Sequence, residues 1–183
     1  MTGNTNVGGI SGLCAPNSDT GTGSYLGSTI KGCHSTAAVS GSYYVGGVVG
    51  NLGMNCSLMA CYSTGNVTAT RTDGRANVGG VVGINGQGTV TACYHATGEI
   101  TSSGEDSIGG IAGSNDQGTF TACYWENNQE QGIGYNYTGT DGTAKVEGTV
   151  TWASAMTLMN QALQKAGLAL QYSLDEEGLP ALE

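Results

Sequence analysis

The chain is predicted to be all-β: a parallel β-solenoid, or β-helix, of Gly-rich repeats, finished by a short C-terminal helix and strand cap. Three observations predict it. The segment VGGVVGINGQGTVTACY at residues 78–94 recurs as IGGIAGSNDQGTFTACY at residues 108–124, 30 residues later with its marked positions unshifted. Gly-Gly pairs stand at Gly8-Gly9, Gly46-Gly47, Gly79-Gly80 and Gly109-Gly110, and cysteines recur at Cys33, Cys61, Cys93 and Cys123. Charged residues make up only 10% of the chain, and 33 glycines face a single Phe, so the core must be narrow and lined by small or branched side chains. A unit of about 30 residues lies in the solenoid range, where one coil buries too little apolar surface to stand alone and coils must stack.

Three short segments recur in each unit. The first is apolar-Gly-Gly-apolar-x-Gly, at residues 7–12, 45–50, 78–83 and 108–113. Its apolar positions are three apart, as in Val78 and Val81, so the backbone must bend between them, and Gly-Gly permits the bend. The second is a strand ending on the cysteine: TIKGC, SLMAC, TVTAC and TFTAC, beginning at Thr29, Ser57, Thr89 and Thr119. Strand alternation turns Ile30, Leu58, Val90 and Phe120 inward, and with them Gly32, Ala60, Ala92 and Ala122. A fifth copy, GTVTW, begins at Gly148 and carries Val150 and Trp152 at those positions. The third segment is a short strand such as GNVTAT at Gly65 or GEITSS at Gly98. Roughly three strands per turn are therefore expected, with rungs about 4.8 Å apart.

Residues 15–27, 71–76 and 127–146 are rich in Gly, Thr, Asn or Asp and read as inserted loops. Beyond Trp152 the spacing becomes helical through Ala155, Met156, Met159, Leu163 and Ala166, with Ser154 as N-cap and Gly167 as terminator. A strand around residues 170–174 and the tail EEGLPALE follow. Residues 1–151 thus form a solenoid of four to five coils, and residues 152–183 a helical cap and tail of the same unit. An open solenoid end exposes unpaired strand edges, and the cap is expected to cover it.

These segments resemble the GLUG-motif repeat of bacterial secreted and surface proteins, common in gut anaerobes and found beside immunoglobulin A peptidase domains. The resemblance rests on the VGGVVGxN-type segments, the ACY that follows, the TGxV or TGxI strands at residues 64–67 and 97–100, and Gly178, Pro180 and Leu182 in the tail. It implies an adhesin-like, cell-surface or secreted β-solenoid and brings no catalytic residues with it. The first unit departs from the pattern, with a long insertion and His34 in place of Tyr.

Composition excludes several classes. Net charge is −9, and five scattered bases, Lys31, Arg71, Arg75, Lys145 and Lys165, cannot supply the clustered cations that nucleic acid requires. No apolar run approaches the 18 or so residues of a membrane span. No signal peptide is visible, and the first repeat begins by Val7, so the chain reads as a piece of a longer protein.

Candidate chemistry is sparse. The cysteine row reads as buried thiols packed as small apolar groups, because no CxxC pair offers metal or redox spacing. Cys14 and Cys56 fall outside the row, and either a disulfide or free thiols would fit them. No cofactor is expected; a Ca2+ ion would have to sit at the acidic loops around Asp73, Glu105 with Asp106, and Asp141, where solvated turns are the preferred reading. The repeated Thr-x-Thr could face ice or a carbohydrate, and exposed β-formers are the simpler reading. Tyr62, Tyr94 and Tyr124, with Trp125 beside the last, form an aromatic row that could face a ligand or close a corner. Glu99, Asp116 and Glu126 fall at unlike repeat positions, and His34 and His95 read as surface or corner residues.

The expectation is a non-enzymatic scaffold outside the bacterial cell that presents loops to a host surface protein or glycan. The alternative is an accessory repeat region of a secreted hydrolase or peptidase.

Overall fold

The computed structural model describes residues 1–18, 25–104 and 106–183. It is a parallel β-solenoid, and a full coil contains five short strands rather than three. The second coil gives the template: Tyr44–Gly46, Val49–Leu52, Ser57–Met59, Tyr62–Ser63 and Val67–Ala69. Each strand stacks in parallel register on its copies. The first sheet joins Asn6–Gly8, Tyr44–Gly46, Asn77–Gly79 and Ser107–Gly109. The second joins Ser11–Cys14, Val49–Leu52, Val82–Asn85, Ala112–Asn115 and Ile133–Asn136. Thr29–Lys31, Ser57–Met59, Thr89–Thr91 and Thr119–Thr121 form the third. His34–Ser35, Tyr62–Ser63, Tyr94–Ala96, Cys123–Glu126 and Thr143–Lys145 form the fourth, and Val39–Gly41, Val67–Ala69 and Ile100–Ser102 the fifth.

The glycine pairs explain the extra corner. Gly46, Gly47, Gly79, Gly80, Gly109 and Gly110 are not among the residues with positive φ, so an unusual backbone conformation is not why they are glycine. Close approach is the reason. A Cβ on Gly46, Gly79 or Gly109 would lie 2.1, 2.1 or 2.2 Å from the carbonyl oxygen three residues on. A Cβ on Gly47, Gly80 or Gly110 would meet the side chain of Ser63, His95 or Trp125 at 2.4, 2.5 or 2.3 Å. The pair therefore lets the first sheet turn sharply into the second and lets the fourth sheet press against that turn.

A second correction concerns the corner between the third and fourth sheets. Ala60, Ala92 and Ala122 have φ of 50°, 52° and 50°, and Gly32 of 63°. A left-handed residue breaks strand alternation, so these residues do not follow Leu58, Val90 and Phe120 inward. The cysteine after each does. Cys61, Cys93 and Cys123 pack with Leu58, Val90 and Phe120 in the largest core cluster, whereas Ala60 and Ala92 pack outward against the C-terminal segment. Each thiol also donates back across the corner, to the carbonyls of Met59, Thr91 and Thr121 at 3.2, 3.3 and 3.5 Å.

The interior has two apolar lobes. One holds Val48, Val49, Leu52, Leu58, Val81, Val82, Val90, Ile111 and Phe120; the smaller holds Val7, Val39, Val45, Val67, Val78 and Ile100. The corner between the second and third sheets is held by buried asparagines. Asn85 accepts from Gly88 N–H at 2.8 Å and donates to its carbonyl at 3.2 Å, and Asn115 does the same with Gly118 at 2.9 and 3.2 Å.

Residues 127–146 are not an inserted loop. Ile133–Asn136 pairs with Ala112–Asn115, Thr140 bridges Thr119, and Thr143–Lys145 pairs with Cys123 to Trp125, giving a partial fifth coil. GTVTW accordingly adds no rung. Gly148, at φ +59°, turns the chain away, and Thr151 becomes the helix N-cap in place of Ser154. Ser154 is the third helical residue and returns the bond in a capping box, its Oγ accepting from Thr151 N–H at 3.0 Å. Of the inserted loop expected at residues 15–27, Asn17–Ser18 and Tyr25–Leu26 pair antiparallel apart from the solenoid sheets, and residues 19–24 lie outside the described residues.

The helix Trp152–Lys165 is followed by a hairpin of Tyr172–Leu174 with Pro180–Leu182. This segment lies along the side of the solenoid. Ala155, Met159 and Leu163, one helical face, cover Ala60, Ala92, Tyr94 and Tyr124 from three successive coils, and Leu170 reaches Gly32 in the first. Polar bonds fix it: Tyr172 Oη donates to Ala92 O at 2.9 Å, Tyr94 Oη to Pro180 O, and Trp152 Nε1 to Glu126 Oε2 at 2.5 Å.

Two stability outcomes follow. Gly46→Ala drives its Cβ against backbone that cannot yield and is expected to cost about 3 kcal/mol or more. Gly86→Ala, whose nearest neighbour lies at 3.6 Å, is expected to be near neutral; equal denaturation midpoints for the two variants would contradict the close-approach account. Met159→Ala removes a fully buried side chain between helix and coils and should cost about 2–5 kcal/mol in urea unfolding.

Candidate functional site

The repeat leaves little chemistry unused inside. The fourth sheet sends the row Ser35, Ser63, His95 and Trp125 inward. Ser63 Oγ lies 2.9 Å from His95 Nδ1, and His95 Nε2 lies 2.9 Å from the Gly98 carbonyl oxygen. Nε2 therefore carries a proton and donates it. The pairing has the reach of a nucleophile and base, but Ser63 and His95 are 1% and 0% exposed, so no substrate can approach. It is a structural link between successive rungs, and it places His95 in the interior rather than at the surface. His34 stacks on Tyr62, with ring centroids 5.0 Å apart.

The cysteine row is likewise internal. Burial raises the Cys93 thiol and pushes Cys123 up to about 12, which keeps both as unreactive thiols. All six cysteines are free. Among the described residues, no group of three or more His, Cys, Asp or Glu side chains is placed to hold a metal ion.

The acidic loops are occupied by local bonds. Asp73 pairs with Arg71 at 3.1 Å, Asp106 accepts from Ala76 N–H and from Ser102 Oγ, and Asp141 accepts from Thr143 N–H at 3.0 Å. Glu105 lies outside the described residues. Glu126 anchors Trp152, while Asp116 and Glu99 lie at other corners of the coil, so the three carboxylates do not form a pair.

The aromatic row does not form an open platform. Tyr62 and Tyr94 do stack, with centroids 4.6 Å apart. Tyr94 and Tyr124, however, are 1% and 6% exposed beneath the C-terminal segment, and Trp125 points into the core at 5%. Covering apolar rings is what stabilises the segment on the side wall, so the expected ligand face is consumed by the fold.

What remains on the outside is a hydroxyl face and a groove. The third sheet carries Thr29, Ser57, Thr89 and Thr119 in one row and Lys31, Met59, Thr91 and Thr121 in the next. Thr89 donates to Ser57 at 2.9 Å, and Gln87 to Gln117 at 3.1 Å beside them. Thr121 also borders a groove of about 440 Å³ between the fourth sheet and the helix. Its floor is Ala122, Tyr124 and Ala144, and its far wall Leu158, Gln161 and Lys165. Sequence reasoning missed the groove, because it exists only where the helix lies on the coils; the helical spacing gave the helix but not its resting place. A second hydroxyl row, Ser40, Thr68 and Thr101, runs along the fifth sheet.

Fold and surface together define a β-solenoid repeat protein with filled coils and displayed faces. A family model described as the GLUG motif matches residues 41–68. That stretch is one full coil, and its Val45, Gly46 and Cys61 recur in register at Val78, Gly79 and Cys93. The chain thus carries a GLUG motif within its solenoid repeats. No curated protein and no solved structure matches it. Among the described residues, no helix is long and apolar enough to cross a membrane.

The His95 environment sets a pH dependence. Burial lowers its pKa from the usual 6.5. Below that pH the unfolded chain takes up a proton that the folded chain resists. The stabilisation is therefore complete above 6.5 and is lost as pH falls toward the folded value, at a slope of up to about 1.4 kcal/mol per pH unit. Urea midpoints from pH 7.5 to 5 should fall more steeply in the wild type than in His95→Gln; parallel curves would show that His95 does not titrate abnormally.

Proposed function

We propose that the chain is a non-enzymatic, adhesin-like scaffold of the bacterial cell surface or secreted fraction, and that it holds a host or glycan partner on its outer wall. One observation carries the reading: the paired threonines of the third sheet in the third and fourth coils, Thr89 with Thr119 and Thr91 with Thr121, lead into the groove beside the helix, which Thr121 borders. Hydroxyl and amide groups at a fixed rung spacing suit the repeated hydroxyls of a glycan. The apolar floor of Ala122 and Ala144 suits the C–H face of a sugar ring, and Lys165 adds a cation for an acidic one. Rigidity supports the same role, since a face built on parallel ladders loses little conformational entropy when it binds.

The test is a glycan array and a panel of host matrix proteins probed with the purified chain, followed by titration of any hit against Ala144→Arg and Lys165→Glu. Ala144→Arg fills the groove and is expected to weaken binding at least tenfold. Retention of nothing on either panel, or binding untouched by Ala144→Arg, would remove this reading. Turnover of any bound glycan would overturn its non-enzymatic part.

A further inference from the structure

Two cysteines stand outside the buried row, at the one corner built differently from the others. In the third and fourth coils the turn from second to third sheet is clamped by Asn85 on Gly88 and by Asn115 on Gly118, and Asn136 repeats the clamp on Gly139. Register places Cys14 and Leu52 in the asparagine row and Cys56 in the glycine row. The second coil has one residue more at this turn, absorbed by Asn55 at φ 60°. The first coil has the whole insertion there. The amide clamp is thus missing where the chain departs furthest from the repeat.

The thiols sit in its place. Cys56 Sγ donates to the Cys14 carbonyl at 3.3 Å, across 42 residues of sequence. Both side chains are buried in the same cluster, Cys14 at 5% and Cys56 at 0% exposure. The two side chains also contact each other, and burial with that contact pushes the Cys14 thiol up to about 12. Row neighbours Cys33, Cys61 and Cys93 also bring their thiols together, but the ladder fixes their backbones. In-register parallel neighbours project side by side at the rung spacing of about 4.8 Å, beyond the ~3.5–4.5 Å between Cβ atoms of a disulfide. Cys14 and Cys56 are not ladder partners, so no rung spacing holds their Cβ atoms apart.

We infer that Cys14 and Cys56 are a disulfide-forming pair that staples the first coil to the second, at the corner that the asparagine clamps hold within each later coil. The oxidant is a small-molecule disulfide. One cysteine thiolate attacks it, forming a mixed disulfide and releasing one thiol. The second cysteine thiolate then attacks the protein sulfur of that mixed disulfide, and the second small thiol leaves. Two cysteine thiols lose two electrons and two protons, and the small disulfide is reduced to two thiols. The inference is independent of what the outer wall binds.

The experiment refolds the full chain in a glutathione redox buffer, alkylates it under denaturing conditions, and measures intact mass and disulfide-linked peptides. Chymotryptic cleavage after Leu58 separates Cys56 from Cys61. The expected result is four alkylated cysteines and a Cys14–Cys56 linked peptide, with a Tm on the order of 10 °C above that of the reduced chain. Cys14→Ser and Cys56→Ser should each abolish both the link and the Tm difference. Six alkylated thiols, or a link that involves any row cysteine, would overturn the inference; the wild-type peptide map decides even if a variant fails to fold.

Discussion

The structure depends on one steric constraint: at each coil, two glycines let three strands meet where no Cβ fits. The first glycine of the pair lies against the carbonyl three residues later, and the second against the side chain of the fourth sheet. Widening either contact would separate the two apolar lobes and break the coil's cross-section. Because the coils stack in register, the same contact recurs along the axis, and a disturbance at one rung acts on the rungs above and below. A side chain there would cost the coil far more than the glycine costs in backbone entropy.

Stacking also dictates what the interior can contain. A row position is filled by the same kind of residue from coil to coil, or by a graded series when the ends differ. Ser35, Ser63, His95 and Trp125 form such a series, small at the first coil and large at the fourth. Trp125 Nε1 donates to the Gln129 carbonyl at 3.0 Å, and Asn128 uses its side chain to bond both the N–H and the C=O of Ile100 at 2.9 Å. Those amides stand where a fourth strand of the fifth sheet would otherwise be, so side chains satisfy an edge that backbone leaves open.

The periodic part of this architecture was legible in the sequence, and the departures from period were not. Gly-Gly and cysteine spacing gave the solenoid, its coil length and the inward Leu58, Val90 and Phe120. Alternation failed at Ala60, Ala92 and Ala122, because nothing in an alanine announces a left-handed φ; the cysteine after it, whose thiol donates back across the corner, was the available signal. The asparagines in GINGQG and GSNDQG carried no assigned role in the pattern, although Asn85 and Asn115 are buried clamps. The partial fifth coil escaped notice because it is shortened. Ile133 follows Ala112 by 21 residues rather than 30, while GTVTW kept the 30-residue interval without keeping the fold. The interval was preserved by a segment whose Thr151 and Ser154 cap a helix, and local capping overrode the strand pattern.

The C-terminal segment then determines where function can lie. Covering the ends was the expectation, since exposed edges invite association. The segment instead lies across successive coils and buries the tyrosine row that would have been the most obvious binding face. Edge-to-face contacts of Tyr94 with Trp152 at 5.0 Å and with Tyr172 at 6.0 Å add aromatic packing to the apolar burial. The same placement creates a concave surface, because a convex helix laid against a flat sheet leaves a groove along its margin. One docking event thus removes an aromatic platform and makes a groove beside the hydroxyl rows. Aromatic rows in a repeat sequence are therefore ambiguous until the path of the flanking segment is known, whereas Thr89 and Thr121 of the third sheet stay exposed.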